Sequence, residues 1–305
     1  MSVRITALTD PEQSASARRL AWLATAPDGT TVGHAFLRLF DKEGQQHLSE
    51  LDVQVHPAER RRGAGKALLD AAVEAARQDG RTSLIAQASA DSPGSAFLEA
   101  SGFEVALTLT YTRLALADAD VEALAALVRS THEGYELRSW VGTVPDGLAD
   151  TFVASRRAMD DMPMGAVDWG TVVWDLNRVR AAASAVAARG EVLRTVAAVD
   201  RTDGTIVGFT ELVVPGDGKG DAQHYGTAVL PSHRGRGLAL WMKAASIVEA
   251  REQHPELAGL LTDTADNNPH MRRVNDDLGY RPTHTSYEYQ RTLTGPEEPG
   301  FNNGS

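Results

Sequence analysis

The chain has 305 residues, of which 42% are hydrophobic and 23% charged, with no cysteine and a net charge of −11. That length accommodates two ordinary domains, each with a core of its own, and the lack of cysteine excludes disulfides, thiolate metal sites and a cysteine nucleophile. The acidity argues against a nucleic-acid groove, which needs surplus Lys and Arg on one face, and is compatible with a cationic small substrate.

In chain order, Val3 to Leu8 is expected to form a first strand, and Arg18 to Ala26 and Val32 to Phe40 flank Asp28-Gly29, a hairpin signal. Leu51 to Val55 is the next strand. Ala64 to Gln78 follows as a helix with Leu68, Leu69, Ala72 and Val73 on one face. Ser83 to Ala86 reads as a buried strand, Gly94 to Ala100 as a short helix, and Glu104 to Leu116 as closing strand. Asp118-Ala119-Asp120 marks a boundary and caps a helix over Val121 to Arg129. Then come a strand at Tyr135 to Val141 and helical stretches at Leu148 to Met159 and Val172 to Ala188. From Leu193 to Leu293 the first pattern returns, and the Gly-, Pro- and Asn-rich tail 294–305 reads as disordered. No stretch has the length and apolarity of a membrane span, and Met1-Ser2-Val3-Arg4-Ile5 lacks the features of a signal peptide. A cytoplasmic protein without membrane or nucleic-acid partners is therefore expected.

The recurrence is detailed. Asp28-Gly29-Thr30-Thr31-Val32-Gly33 matches Asp203-Gly204-Thr205-Ile206-Val207-Gly208; Pro57, Gly63 and Gly65 match Pro231, Gly237 and Ala239; Gly102-Phe103 matches Gly279-Tyr280. The spacing between matched residues changes by only a few positions over most of a domain, which means duplicated structure. Domains over 1–117 and 118–293 follow, with the tail 294–305 outside both.

Each copy has an apolar strand, a proline turn and a basic glycine-bearing turn that opens a helix: Val53 to Pro57 before Arg60-Arg61-Arg62-Gly63-Ala64-Gly65, and Ala228-Val229-Leu230-Pro231 before Arg234-Gly235-Arg236-Gly237-Leu238-Ala239. Converging backbone N–H groups at a helix start bind an anion with help from the helix dipole. Glycine allows the close approach of a pyrophosphate, and arginine adds a planar cation. The sequence lacks a Gly-x-x-x-x-Gly-Lys-Ser/Thr loop, and Leu240 stands where a dinucleotide fingerprint has its third glycine. The nine histidines show no metal-binding spacing, so no metal is expected.

In these residues the chain resembles the GNAT superfamily of N-acetyltransferases, in the tandem form found in actinobacteria. Its Gln/Arg-x-x-Gly-x-Gly/Ala loop is matched by Arg60 to Gly65 and by Arg234 to Ala239, and its helix with Asn before Gly-Phe by Asn268 to Tyr280. The resemblance implies an α/β (α+β) fold of two tandem GNAT domains, each a mixed, mostly antiparallel sheet flanked by helices. It also implies acetyl-CoA as donor, with the pyrophosphate on the loop and the pantetheine along the strand ends Val53 to Val55 and Ala228 to Leu230. Asn268 and Asn275 would line the CoA arm. The tyrosine that many relatives use to protonate the departing thiolate is replaced by Leu98 in the first copy and Asn275 in the second.

The resemblance implies that helices between the first two strands wall the acceptor site; the first copy has only Asp10 to Ala17 there and the second its long preamble, so the second copy is the expected catalytic one. Glu211, where copy one has Phe36, and His224, matched to Glu50, are the candidate bases or acceptor-binding groups for deprotonating an amine. The expected activity is transfer of acetyl to the primary amine of a small molecule by a monomer or homodimer. The alternatives are a non-catalytic acyl-CoA sensor and a protein acetyltransferase.

Overall fold

The computed structural model describes residues 3–9, 17–160 and 165–293. The short preamble segment 10–16 and the tail 294–305 lie outside the described residues. The first copy runs β1 (Arg4–Leu8), β2 (Ala17–Thr25), β3 (Thr31–Phe40), β4 (Leu48–Val55), α1 (Ala64–Gln78), β5 (Ser83–Ser89), α2 (Pro93–Ala100) and β6 (Glu104–Ala115). The second has a preamble of α3 (Val121–Arg129), β7 (Tyr135–Val141), α4 (Ala149–Ser155) and α5 (Leu176–Ala188). It then runs β8 (Val192–Asp200), β9 (Ile206–Val214), β10 (Gly220–Val229), α6 (Leu238–Gln253), β11 (Leu257–Ala265), α7 (Pro269–Asp277) and β12 (Arg281–Thr292).

The chain divides into two compact units that are not contiguous in sequence. Among the described residues, one holds 3–9, 17–108, 165–173 and 286–293, the other 109–160 and 174–285. In the first unit, β1 to β4 form an antiparallel meander, β4 pairs parallel with β5, and β5 pairs antiparallel with Ser286 to Thr292. In the second, β7 to β10 form the meander, β10 pairs parallel with β11, and β11 pairs antiparallel with Leu109 to Ala115. Each sheet is thus completed by the closing strand of the other copy, and the repeats and the compact units divide the chain differently.

The helices cover the sheets as their apolar spacing requires. α1 is amphipathic and buries Leu68, Leu69, Ala72 and Val73 in a core with Leu37, Leu51, Leu84 and Leu98. α6 is buried on most of its circumference, from Leu238 and Trp241 to Ile247 and Ala250, because α3 packs on it in addition to the sheet. The leucine, isoleucine and valine side chains among these each contribute about 1.5–3 kcal/mol when fully buried.

The helix expected from Val172 starts at Leu176. Asp175 is its N-cap, with Oδ1 accepting the Arg178 N–H at 2.6 Å. Residues 165–173 instead belong to the first unit, where the Thr171 N–H donates to the Gly44 carbonyl at 3.1 Å and Gln45 Nε2 to that of Trp169 at 3.0 Å. Those bonds tie residues 169–171 to the first unit, and the helix begins only after its Asp175 cap. Among the described residues, no helix is long and apolar enough to cross a membrane.

Candidate active site

The two glycine-basic turns fold alike. Each begins with one turn of 3-10 helix, Pro57–Glu59 or Pro231–His233, followed by an extended arginine, Arg60 or Arg234. The next residue is left-handed in both, Arg61 at φ 63° and Gly235 at φ 76°, as are the helix N-caps Gly63 at φ 91° and Gly237 at φ 74°. Arg60 Nε donates to the Val55 carbonyl at 3.2 Å, and Arg234 Nε to the Val229 carbonyl at 2.9 Å. The leading arginine of each loop is a latch onto the strand before it. Arg61 and Arg62, and likewise Gly235 and Arg236, are exposed beyond it, whereas Ala64 and Leu238 turn into the core and Gly65 and Ala239 are half-buried.

Neither N-cap makes a side-chain cap bond among the described residues. The leading amides of α1 and α6 therefore keep their donors for an anion. This donor set fits the pyrophosphate of CoA in both copies. The surroundings differ: a Cβ on Gly63 would meet nothing within 4 Å, whereas on Gly237 it would lie 3.3 Å from His132 Nε2. His132 stacks on Trp241 with ring centroids 4.2 Å apart, and Trp241 Nε1 donates to the Val128 carbonyl at 3.0 Å, so the preamble packs against the second loop.

Next to each loop the sheet opens. β4 pairs with β5 from Leu48↔Ser83 to Leu51↔Ala86, and β10 with β11 from Gly220↔Leu257 to Gln223↔Leu261. Past those points Val53 and Val55, and Ala228, Val229 and Leu230 after them in the second copy, leave the parallel pairing. Such a seam offers strand N–H and C=O groups to an extended amide-bearing arm.

A bulge changes what the second seam presents. Leu212 pairs with His224 and Glu211 with Gly226, so Tyr225 is extra and stands exposed. In the first copy the β3–β4 register runs unbroken from Gly33↔Val55 to Leu39↔Ser49, with Leu37 opposite Leu51. His224 therefore occupies the inward position of Leu51, and Gln223 that of Glu50. The match of His224 to Glu50 is off by one residue because spacing along the sequence cannot register a bulge.

His224 is buried, with Nδ1 3.5 Å from Thr210 Oγ1 and no partner for Nε2 among the described residues. Burial, and then the charge of Lys243, hold its pKa well below the ordinary histidine range, so the imidazole is neutral. Lys243, also buried, donates from Nζ to Asn275 Oδ1 at 2.7 Å, and Asn275 Nδ2 donates to Thr264 Oγ1 at 2.9 Å. Burial lowers the Lys243 pKa to about 7. The Tyr280 ring lies 4.9 Å from Nζ, and its buried hydroxyl has no partner among the described residues. Burial drives that phenol's pKa upward.

Glu211 is not an isolated carboxylate. It is buried and held by both terminal nitrogens of Arg156, with NH1–Oε2 at 2.9 Å and NH2 on Oε1. The Arg156 guanidinium also lies 4.5–4.9 Å from the ring centroids of Phe209, Phe152 and Trp174. Asn268 caps α7 by accepting the Met271 N–H at 3.2 Å. Of the sequence candidates, His224 and Asn275 thus come together around Lys243, while Glu211 joins Arg156. Lys243 and Arg156 were not among the candidates. The sequence signal for Lys243 was its place on the apolar face of the helix, where the repeat puts Leu69; Arg156 has no counterpart to betray it.

Two loops of this geometry, each between a splayed strand and a helix, define a duplicated α/β fold with an anion cradle in each copy. The family model for the acetyltransferase (GNAT) family matches residues 4–103 and 174–280, more than half of the chain, and the protein belongs to that family as a tandem member.

Among solved structures it is similar to a tandem GNAT protein from the clavulanic acid biosynthesis pathway, determined without acetyl-CoA. The two are 26% identical with a TM-score of 0.75, over 94% of this chain and 86% of that one. A GCN5-related N-acetyltransferase from Sphaerobacter thermophilus shares the fold at 16% identity, with a TM-score of 0.66 over 90% of this chain and 82% of that one. The mycothiol acetyltransferase of Geodermatophilus obscurus is 38% identical over 127 residues, 40% of this chain. The match spans 39% of that relative's length.

Proposed function

We propose that the protein transfers acetyl from acetyl-CoA to the primary amine of a small molecule, with the chemistry in the second copy and the first copy holding CoA or serving structure. The observation that carries this reading is the unequal lining of two equal cradles. Both loops offer the same uncapped amides, yet the seam beside the second is bulged and lined by His224 and a buried polar cluster, where the first has Leu51 and a hydrocarbon core.

When bound, acetyl-CoA supplies an activated acyl thioester. The loop amides of Arg234 to Ala239 would hold its pyrophosphate, and the strand end Ala228 to Leu230 would pair with its arm. The N–H near Val229 would stabilise negative charge developing on the thioester oxygen. His224, neutral through burial, takes the amine proton through its unpaired Nε2. Glu211, committed to Arg156, shapes the acceptor side of β9 rather than acting as base. Acetyl as the group moved accords with the relative named mycothiol acetyltransferase.

The test is a pair of loop substitutions. Gly237→Glu places a carboxylate at the anion site of the second copy and should abolish turnover of acetyl-CoA with an amine panel. Gly63→Glu should reduce turnover by less than about tenfold. Equal loss from both, or loss from Gly63→Glu alone, refutes the division of labour.

A second reading, an acyl-CoA sensor without turnover, is favoured by Asn275 at the position of the relatives' tyrosine acid. Calorimetric CoA binding by a protein that acetylates no member of the panel would decide for it.

A further inference from the structure

We infer that Lys243 is a positioning residue for thiolate departure: its ammonium fixes Asn275 and supplies the positive charge against which the CoA sulfur leaves. The inference rests on the reading of the second copy as the catalytic one.

The argument starts from the duplication. His224, Lys243, Asn275 and Tyr280 correspond to Leu51, Leu69, Leu98 and Phe103, all buried in the hydrocarbon core of the first unit. The correspondence is structural as well as sequential, since the Phe103 N–H donates to the Leu98 carbonyl at 3.1 Å and the Tyr280 N–H to the Asn275 carbonyl at 3.0 Å. The same scaffold therefore closes on four apolar side chains. Putting a cation, an imidazole, an amide and a phenol there costs stability, the more so because His224 Nε2 and the Tyr280 hydroxyl lack partners among the described residues. Buried polar groups that cost a fold stability cluster at functional sites.

The cluster also sits where the sheet opens. His224 is the first residue of β10 past the last parallel pair, Gln223↔Leu261, and Thr264 lies on β11 beyond that pair. From Leu230, beside the loop, the seam runs back six residues to His224, roughly 20 Å of strand. An arm anchored by its pyrophosphate at Gly237 and laid along this seam would run towards His224, which shares its buried cluster with Tyr280 and Lys243.

The groups facing Lys243 leave it short of counter-charge. Asn275 on α7 is neutral, the ring of Tyr280 presents its face, and His224 on β10 is uncharged. Asp263 on β11 contributes a favourable field without a bond to Nζ among the described residues. With its pKa near 7, Lys243 gains from an anion forming beside it. In the step itself the amine nitrogen bonds to the acyl carbon and the carbon–sulfur bond breaks. Sulfur keeps the electron pair as thiolate, and the amine proton passes through His224 to water.

The test uses the full chain with free CoA and reads its thiol by ultraviolet thiolate absorbance against pH. In the complex the thiol and the amine titrate as a pair: a thiolate beside Lys243 holds the proton on Nζ, and that shared charge lowers the thiol's ionisation midpoint. Bound to the wild type, the thiol should ionise at least about one pH unit below its midpoint in Lys243→Leu and in the double swap Lys243→Leu/Asn275→Leu. The double swap restores the packing of Leu69 and Leu98, so it should melt no lower than wild type while kcat falls about tenfold or more and the KM for acetyl-CoA changes less. An unchanged thiol midpoint with CoA still bound overturns the inference. Gly237→Glu separates the two failures: if it leaves turnover in place, the second copy is not the catalytic one. If it abolishes turnover and the swap leaves midpoint and kcat unchanged, only the role of Lys243 falls.

Discussion

Arg156 closes both terminal nitrogens on Glu211 in a buried pair stacked among three aromatic rings. An ion pair of this kind is weak evidence for stability, because desolvating both charges offsets most of their attraction. Breaking it is another matter. Glu211→Gln should cost about 3–5 kcal/mol in chemical denaturation by leaving the guanidinium buried without its counter-charge. The double variant Arg156→Met/Glu211→Met should recover most of that stability and still lose acceptor affinity, read as a rise in the amine KM. A double variant as unstable as the single one would mean that the pair is structural rather than retained for the acceptor.

Stability should rise with pH because of Lys243. Without CoA, its pKa falls from the ordinary 10.5 to about 7 on folding, so between those values the unfolded chain binds the proton and the folded chain does not. Unfolding free energy therefore increases through that window, by at most about 1.4 kcal/mol per pH unit from this group. His224 acts in the same direction at lower pH: held neutral in the fold, it withdraws stability as pH drops below about 6.5. Denaturation of wild type and of Lys243→Leu/Asn275→Leu from pH 5 to 10 checks this. The gap in favour of the swap should be widest below about pH 7 and close towards pH 10, and a gap independent of pH would contradict it.

How much of this was legible in the sequence follows from the physics of each signal. Glycine, proline and arginine at the loops were readable because the left-handed turn and the latch depend on local geometry, and both copies satisfy it with nearly the same residues. The exchange of closing strands was not readable, because Arg113 and Arg291 sit in equivalent strands whichever sheet each strand joins. The tie between Lys243 and Asn275 joins residues far apart in sequence on two helices, and periodicity reports only that each faces inward. Tyr225 concealed the true register of His224, since a bulge inserts one residue without any mark in a polar strand.

The latches Arg60 and Arg234 give a last prediction about the loops. Each donates its Nε to the carbonyl at the end of the preceding strand and so holds the loop against the seam. Arg234→Lys keeps the charge but loses the planar Nε donor. If the latch preorganises the loop, this variant should weaken CoA binding at the second site several-fold, close to the effect of Arg234→Met, with a stability loss of only about 0.5–1.5 kcal/mol. If instead the charge attracts the pyrophosphate, lysine should bind like wild type and only methionine should fail. Titration calorimetry with CoA at two salt concentrations separates the cases, because a charge effect fades with ionic strength and a preorganisation effect does not.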